Sequence, residues 1–171
     1  LDAGANGIIV PLIKNAEDVK KSIQFSLYPP LGIRGVNSLS RAQGYGFEFD
    51  KYLSIVNKKT KIIAQIEHIE AINNLEEILK VKNLYGTIIG PYDLSASIGF
   101  PGDYNNKKVK SAIVKYERLT SKYNLKKGYH VIEPNIQHVK AKIKKGYDFI
   151  AFSWDTYFLG QIIKDQLKQL K

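Results

Sequence analysis

The sequence of 171 residues lacks cysteine entirely and contains no long apolar run. Without cysteine the chain forms no disulfide and has no thiolate nucleophile or metal ligand, which fits a reducing cytoplasm. No apolar stretch approaches the roughly 18 residues of a membrane-spanning helix, so we expect no membrane association. An initiating methionine is also absent, which indicates that the sequence begins inside a longer chain or after processing.

Arginine is scarce, although the formal net charge is +10. It occurs only at positions 34, 41 and 118, and the remaining positive charge is lysine scattered through predicted helices. No basic stripe interleaved with aromatic residues and no nucleic-acid motif is present, so we predict no nucleic-acid partner. The positive charge would instead attract small anionic substrates.

Two short apolar runs each end in a carboxylate. Residues 62–66 lead into Glu67, and residues 86–90 lead through Pro91 and Tyr92 into Asp93, with a helical pattern at 69–79 between them. A strand, a helix and a strand within about 30 residues form a βαβ unit with parallel, neighbouring strands. Glu67 and Asp93 are therefore predicted at the same end of adjacent strands, which lie about 4.8 Å apart.

Two carboxylates this close repel each other unless they share a proton or a cation. Hard divalent cations bind one or two carboxylates together with water and substrate oxygens, so this pattern indicates a metal site open to substrate. The alternative for each residue alone is a cap at the start of the following helix. Both interpretations stay open at this point.

Five strand–helix units alternate along the chain, which predicts an α/β fold with a parallel sheet in a single domain over residues 1–171. The strands are expected at 7–10, 62–67, 86–90, 127–132 and 149–153, and the irregular stretch 33–47 is expected to be a functional loop. An open doubly wound sheet and a barrel both fit five units. An unrelated nucleotide-binding open sheet is disfavoured, because no P-loop or Gly-x-Gly-x-x-Gly follows any strand.

The chain resembles the HpcH/HpaI aldolase family. The resemblance is carried by Gln65-Ile66-Glu67 and by Gly90-Pro91-Tyr92-Asp93-Leu94-Ser95, and it extends through stretches at 10–11, 28–35, 41–42, 128–134 and 146–151. It implies a (β/α)8 TIM-barrel type of fold. A complete barrel needs eight units and about 250 residues, so the chain would supply only the last five units.

The resemblance also implies roles for particular residues. Glu67 and Asp93 would bind a divalent ion, Mg²⁺, Mn²⁺ or Co²⁺, and Gln65 would lie near the bound keto acid. Asp2 matches an aspartate that the family pairs with a catalytic histidine. That histidine and a supporting arginine have no counterpart here, and His130, inside a strand, is predicted to be a packed residue.

Two further features concern substrate binding. Gly90 would let the backbone approach a ligand closely, and the N–H groups of Tyr92 and Asp93 could hold a carboxylate. Tyr92 is larger than the residue that some relatives carry. No lysine stands at a predicted strand end, which argues against a Schiff-base aldolase.

The predicted function is a metal-dependent aldolase that cleaves a 4-hydroxy-2-oxo acid to pyruvate and an aldehyde. We expect a cytoplasmic homo-oligomer, and we expect residues 1–171 alone to be inactive because the base and three strands are missing. The alternative is a catalytically inactive truncated relative that binds a metal or a keto acid.

Overall fold

Five strands form one parallel sheet in the computed structural model, which describes residues 1–170. The strands are β1 (Gly7–Val10), β2 (Lys61–Ile66), β3 (Gly86–Ile89), β4 (Lys126–Val131) and β5 (Phe149–Phe152). They pair in the order in which they occur in the sequence, and each neighbouring pair is parallel. The predicted α/β class and parallel sheet are therefore confirmed.

The connections between strands are helical. The helices are α1 (Ala16–Ser26), α2 (Phe49–Lys59), α3 (Ile69–Asn73), α4 (Leu75–Leu79), α5 (Pro91–Ser97), α6 (Lys107–Lys122), α7 (Ile136–Lys144) and α8 (Asp155–Lys168). None of the helices in residues 1–170 is long and apolar enough to cross a membrane.

Two predicted segments differ in the structure. The single helix expected at 69–79 is interrupted at Asn74, whose side-chain amide donates a hydrogen bond of 3.0 Å to the carbonyl of Lys14. Asn74 thereby gives up helical geometry in order to hold the loop after β1. The stretch 33–47, expected to be irregular, contains 3-10 turns within Arg41–Gly46, although Gln43, Gly44 and Tyr45 have non-helical backbone angles.

The strand order decides between the open sheet and the barrel. Right-handed crossovers place every connecting helix on the same face when strands follow one another in sequence order, whereas a doubly wound sheet reverses its order at a switch point. β2 shows the consequence, because Ile62, Ala64 and Ile66 are buried and the alternate residues are only partly covered. The sheet is a curled half-barrel with its helices on the convex side.

The main core lies between the sheet and these helices. Tyr116 of α6 is completely buried there, and its hydroxyl lies 2.9 Å from the Thr87 hydroxyl and donates to the carbonyl of Gly128 at 3.2 Å. Burial raises the pKa of Tyr116 far above its ordinary value. The neutral phenol of Tyr116 therefore links α6 to both β3 and β4 through hydrogen bonds.

Replacing Tyr116 with phenylalanine should lower the free energy of unfolding by about 1–3 kcal/mol, because the buried hydroxyl of Thr87 loses its partner. Urea unfolding followed by circular dichroism would measure the change. Tyr45→Phe, at an exposed tyrosine, is the matched control and should stay within about 0.5 kcal/mol of the parent protein. Equal stability of both variants would show that the hydroxyl network contributes nothing.

A second set of hydrogen bonds joins the starts of β4 and β5. The Asp148 carboxylate accepts hydrogen bonds of 2.8 Å from Lys126 Nζ and 2.8 Å from the Lys127 backbone N–H. The bond from Lys126 and the bond from Lys127 hold the pKa of Asp148 below its usual range. The charged form is therefore the form that stabilises the fold.

Asp148→Asn should consequently destabilise the protein at neutral pH and have little effect in acid. Asp148 has its pKa lowered by folding, so its contribution is present above the unfolded pKa of about 3.9 and is lost as the pH falls below it. Melting temperatures of the parent and the variant, measured from pH 7 downwards, should converge below that value. Curves that stay parallel at all pH values would contradict this account.

Candidate active site

A cavity of about 770 Å³ opens at the C-terminal ends of the strands, on the concave side of the half-barrel. Residues from all five strands or their ends line it, including Pro11, Gln65, Gly90, His130 and Ser153. Substrate sites of parallel barrels lie at this end of the strands, and the volume is in the range of small-molecule pockets. Gln65, Gly90, Tyr92 and Asp93 all belong to the lining, as the sequence predicts.

Glu67 stands directly behind this lining and is only 6% exposed. Its Oε1 accepts a hydrogen bond of 2.8 Å from the N–H of Leu12, and its Oε2 accepts one from the Gln65 amide. No lysine, arginine or histidine in residues 1–170 forms an ion pair with it. A buried carboxylate without a cationic partner is costly, so its setting suits a bound cation.

The capping alternative for Glu67 fails in the structure. Helix α3 is capped by His68, whose Nδ1 accepts a hydrogen bond of 3.2 Å from the N–H of Glu70. Glu67 instead has both oxygens turned towards β2 and the loop after β1. His68 therefore has a structural role at this helix end.

Asp93 lies in the first turn of α5 and is exposed to the cavity. The helix begins at Pro91 and its cap residue, Gly90, offers no side chain. Within the described chain, the Asp93 carboxylate takes part in no ion pair or side-chain hydrogen bond. Its oxygens are therefore available for a ligand.

Gly90 leaves the space in which these groups meet. A Cβ added there would lie 3.1 Å from both Cβ and Oε2 of Glu67 and 3.3 Å from Nε2 of Gln65. A side chain at this position would require Glu67 or Gln65 to shift by a few tenths of an ångström. The absent side chain of Gly90 thus leaves room for the hydrogen-bonded pair Glu67 and Gln65.

His130 is both a packed residue, as the sequence predicts, and part of the cavity lining. The structure places it in the cavity wall, where its ring packs edge-to-face on Trp154 with the centroids 4.9 Å apart. Burial lowers the pKa of His130, and the nearby carboxylates of Asp93 and Glu67 oppose that shift. The imidazole therefore lies within the electrostatic reach of both carboxylates.

Strand register could have located His130. Gln65 pairs with Ile88, and Ile88 pairs with Gly128. Two residues further along each strand, Glu67, Gly90 and His130 stand level on the same face, because side chains alternate with a period of two.

The residues present fit a divalent cation. Among the described residues, no three His, Cys, Asp or Glu side chains converge on one point, so a fully acidic cage is absent. Glu67 and Asp93 would supply two hard oxygen ligands beside the Gln65 amide. Magnesium-type sites use that number of carboxylates and complete their coordination with water and substrate oxygens.

Asp2 lies outside the cavity lining. Its carboxylate forms an ion pair with Arg34, which is buried and lies with its guanidinium 4.5 Å from the ring centroid of Tyr28. The carbonyl of Asp2 also accepts a hydrogen bond of 3.1 Å from the N–H of Ala42. Asp2 thereby anchors the 33–47 loop, and the structure does not bring it together with Gln65.

Comparison with known proteins gives the same assignment from both sequence and structure. The chain is 35% identical over 162 residues to the 4-hydroxy-2-oxo-heptane-1,7-dioate aldolase of Shigella flexneri, covering 94% of this chain and 60% of that protein. It is 31% identical over 172 residues to the 2-keto-3-deoxy-L-rhamnonate aldolase of Escherichia coli O9:H4, covering 100% and 63%. The chain therefore spans under two thirds of these curated relatives.

The crystal structure of an HpcH/HpaI aldolase from Desulfitobacterium hafniense superposes with a TM-score of 0.88 at 27% identity, covering 98% of this chain and 64% of that one. Residues 1–160 match the family described as HpcH/HpaI aldolase/citrate lyase. Since that match includes all five strands and the whole candidate site, the chain belongs to the HpcH/HpaI aldolase/citrate lyase family.

Proposed function

We propose that this chain is the greater part of a metal-dependent aldolase that cleaves a 4-hydroxy-2-oxo acid to pyruvate and an aldehyde. The observation that carries the proposal is Glu67, a buried carboxylate that has no cationic partner in residues 1–170 and adjoins the cavity lined by Asp93. The family membership and the names of the relatives support the reaction type.

The five units correspond, in this proposal, to the last five of a (β/α)8 barrel and form one domain. Three further strands would close the concave face, where Ile9 is 46% exposed. A closed barrel excludes water from the cavity and strengthens every charge interaction inside it. Activity should therefore require the complete barrel. The cytoplasmic location and the homo-oligomer stay predictions from the sequence.

Glu67 and Asp93 would hold the divalent cation, with Mg²⁺, Mn²⁺ and Co²⁺ all suited to oxygen ligands. When bound, such an ion would supply Lewis-acid stabilisation of the negative charge that develops when the carbon–carbon bond breaks. The Leu12 N–H and the Gln65 amide fix the orientation of Glu67 before any ligand arrives. This pre-organisation lowers the cost of ordering the site on binding.

The substrate would be oriented by the start of α5. The N–H groups of Tyr92 and Asp93 are assigned to the keto-acid carboxylate, since Pro91 has no N–H to donate. Cleavage breaks the bond between carbons 3 and 4, passes the 4-hydroxyl proton to a base, and leaves the electron pair on the pyruvate enolate, which is then protonated at carbon 3. The role of Asp2 as the partner of the general base stays a prediction. No contact in residues 1–170 links Asp2 to the cavity.

A second candidate function is binding of a metal or keto acid without turnover. It is favoured by the Asp2–Arg34 ion pair, which occupies the Asp2 carboxylate outside the cavity lining. The two candidates differ in one result: metal binding without pyruvate release from any substrate would favour the second.

Glu67→Gln and Asp93→Asn should each abolish retention of Mg²⁺ and Mn²⁺ by the complete protein, because each removes a charged ligand. Isothermal titration calorimetry would measure the affinity. Glu70→Gln is the matched control, since Glu70 is exposed on α3 and pairs with Lys14 at 3.5 Å. Unchanged affinity in both site variants would refute the metal assignment.

The complete protein should release pyruvate from 4-hydroxy-2-oxo acids, and EDTA should stop the release until metal is restored. A lactate-dehydrogenase-coupled assay follows the product directly. Borohydride added with the substrate should leave the enzyme unmodified. Covalent trapping on a lysine would instead show a Schiff-base mechanism, which the proposal excludes.

A further inference from the structure

His130 borders the candidate active site on the side opposite Glu67. The strand register places Gly90 between Glu67 and His130 on the concave face of the sheet. Neighbouring strands lie about 4.8 Å apart, so roughly 10 Å separates the backbones at Glu67 and His130. No side chain stands between them at this level, because Gly90 has none. A small ligand resting on Gly90 therefore has the carboxylate on one side and the imidazole on the other.

The imidazole has an equally small neighbour on its other flank. His130 pairs with Ala151 of β5, whose side chain is a single methyl group and also lines the cavity. The histidine is half-buried, so part of its ring is open to the cavity. Neither neighbouring strand puts a bulky side chain at this level, and the ring can reach a ligand over Gly90.

Ser153 and Trp154, directly after β5, hold the ring in one orientation. Trp154 packs edge-to-face on it, with the ring centroids 4.9 Å apart. Burial lowers the pKa of His130, and a backbone hydrogen bond with Ser153 opposes that shift. A bond that favours the protonated imidazole accepts its N–H, so the acceptor is the Ser153 carbonyl. In the neutral imidazole, which has one N–H, this bond leaves the second ring nitrogen with a free lone pair.

The backbone of Ser153 has an uncommon conformation beside this ring. Its φ is +55°, in the left-handed region that few residues other than glycine adopt. Its N–H donates a hydrogen bond of 2.7 Å to the Val131 carbonyl, whereas its buried Oγ has no hydrogen-bond partner in residues 1–170. Strained residues of this kind concentrate at functional sites. Here the turn supplies the carbonyl that orients His130.

His130 differs from the other two histidines of the chain. Nδ1 of His68 lies 3.8 Å from the Glu70 carboxylate, and Nδ1 of His138 lies 3.7 Å from that of Glu133. His130 forms no ion pair with any described residue. An oriented imidazole that faces a ligand without a fixed acidic partner is suited to accept and return a proton.

We propose that His130 is a catalytic residue that transfers the proton at carbon 3 of pyruvate. The inference rests on the proposed aldolase function and deepens it, and the base that takes the 4-hydroxyl proton stays a separate group. A keto acid that turns its carboxylate and carbonyl oxygens towards Glu67 and Asp93 turns carbon 3 away from them. That direction leads across Gly90 towards His130.

The proton transfer balances within the proposed reaction. After the bond between carbons 3 and 4 has broken, the protonated imidazole gives its proton to carbon 3. The electron pair of the enolate forms the new C–H bond, the carbonyl is restored, and the neutral imidazole regains a proton from water. In the reverse direction the neutral imidazole removes a proton from carbon 3 of pyruvate. Pyruvate alone should therefore exchange its methyl protons with solvent on the enzyme.

This exchange tests the step without any aldehyde. The complete protein with Mg²⁺ and pyruvate in D₂O should deplete the methyl signal in ¹H NMR spectra. His130→Gln and His130→Asn should each slow the exchange by about 10²-fold or more, the usual contribution of one positioned acid or base. His138→Gln, at an exposed histidine, is the matched control and should exchange at the parental rate.

Two further measurements separate a catalytic role from a structural one. Oxalate, which resembles the enolate, should bind the parent and His130→Gln with Kd values within about threefold by calorimetry, because proton transfer is not ground-state binding. Free imidazole should restore exchange to His130→Ala, where the missing ring leaves room, and should not accelerate the parent. Melting temperatures show whether a variant misfolds, and the glutamine and asparagine variants keep the test valid if the alanine variant does.

Exchange at the parental rate in both the glutamine and asparagine variants would overturn the role of His130 and leave the aldolase function standing. Loss of exchange together with loss of oxalate binding, without rescue by imidazole, would overturn it as well, because His130 would then only bind ligand or support the fold. A parent protein that neither exchanges pyruvate protons nor releases pyruvate would overturn the aldolase function itself.

Discussion

The proposed site depends on one electrostatic constraint: the Glu67 carboxylate is buried without a cationic partner in residues 1–170, and the Asp93 carboxylate lines the adjoining cavity without one. Glu67 is buried and fixed by the Leu12 N–H and the Gln65 amide, while Asp93 projects from the first turn of α5. Repulsion between such groups is relieved by a shared cation, which a parallel sheet positions well, because all strand ends of one kind meet at one edge.

The supporting structure is arranged around that edge. Gly90 provides the space that a Cβ would occupy, Leu12 donates its backbone N–H, and Asn74 breaks a helix to hold the carbonyl of Lys14 in the same loop. The hydrogen bonds from the Leu12 N–H and the Gln65 amide fix the orientation of Glu67. The buried Tyr116 hydroxyl holds the helical layer against β3 and β4 behind the cavity.

Sequence reasoning located the strands and placed Glu67 and Asp93 just after two of them, because apolar runs and terminal polar residues are local signals. It missed the break at Asn74, whose cause is a contact with Lys14 sixty residues earlier in the sequence. His130 is packed as predicted, but only strand register shows that this residue also stands level with Glu67. The ion pair of Asp2 with Arg34 was equally out of reach, because motif matching gives a position in the chain and no spatial partner.

Anomalous X-ray diffraction from crystals of the complete protein soaked in Mn²⁺ tests the central claim most directly. The account predicts one strong anomalous peak at the C-terminal ends of β2 and β3, about 2.0–2.6 Å from carboxylate oxygens of both Glu67 and Asp93. A peak bound by other residues, or no peak between these two side chains at saturating Mn²⁺, would contradict it.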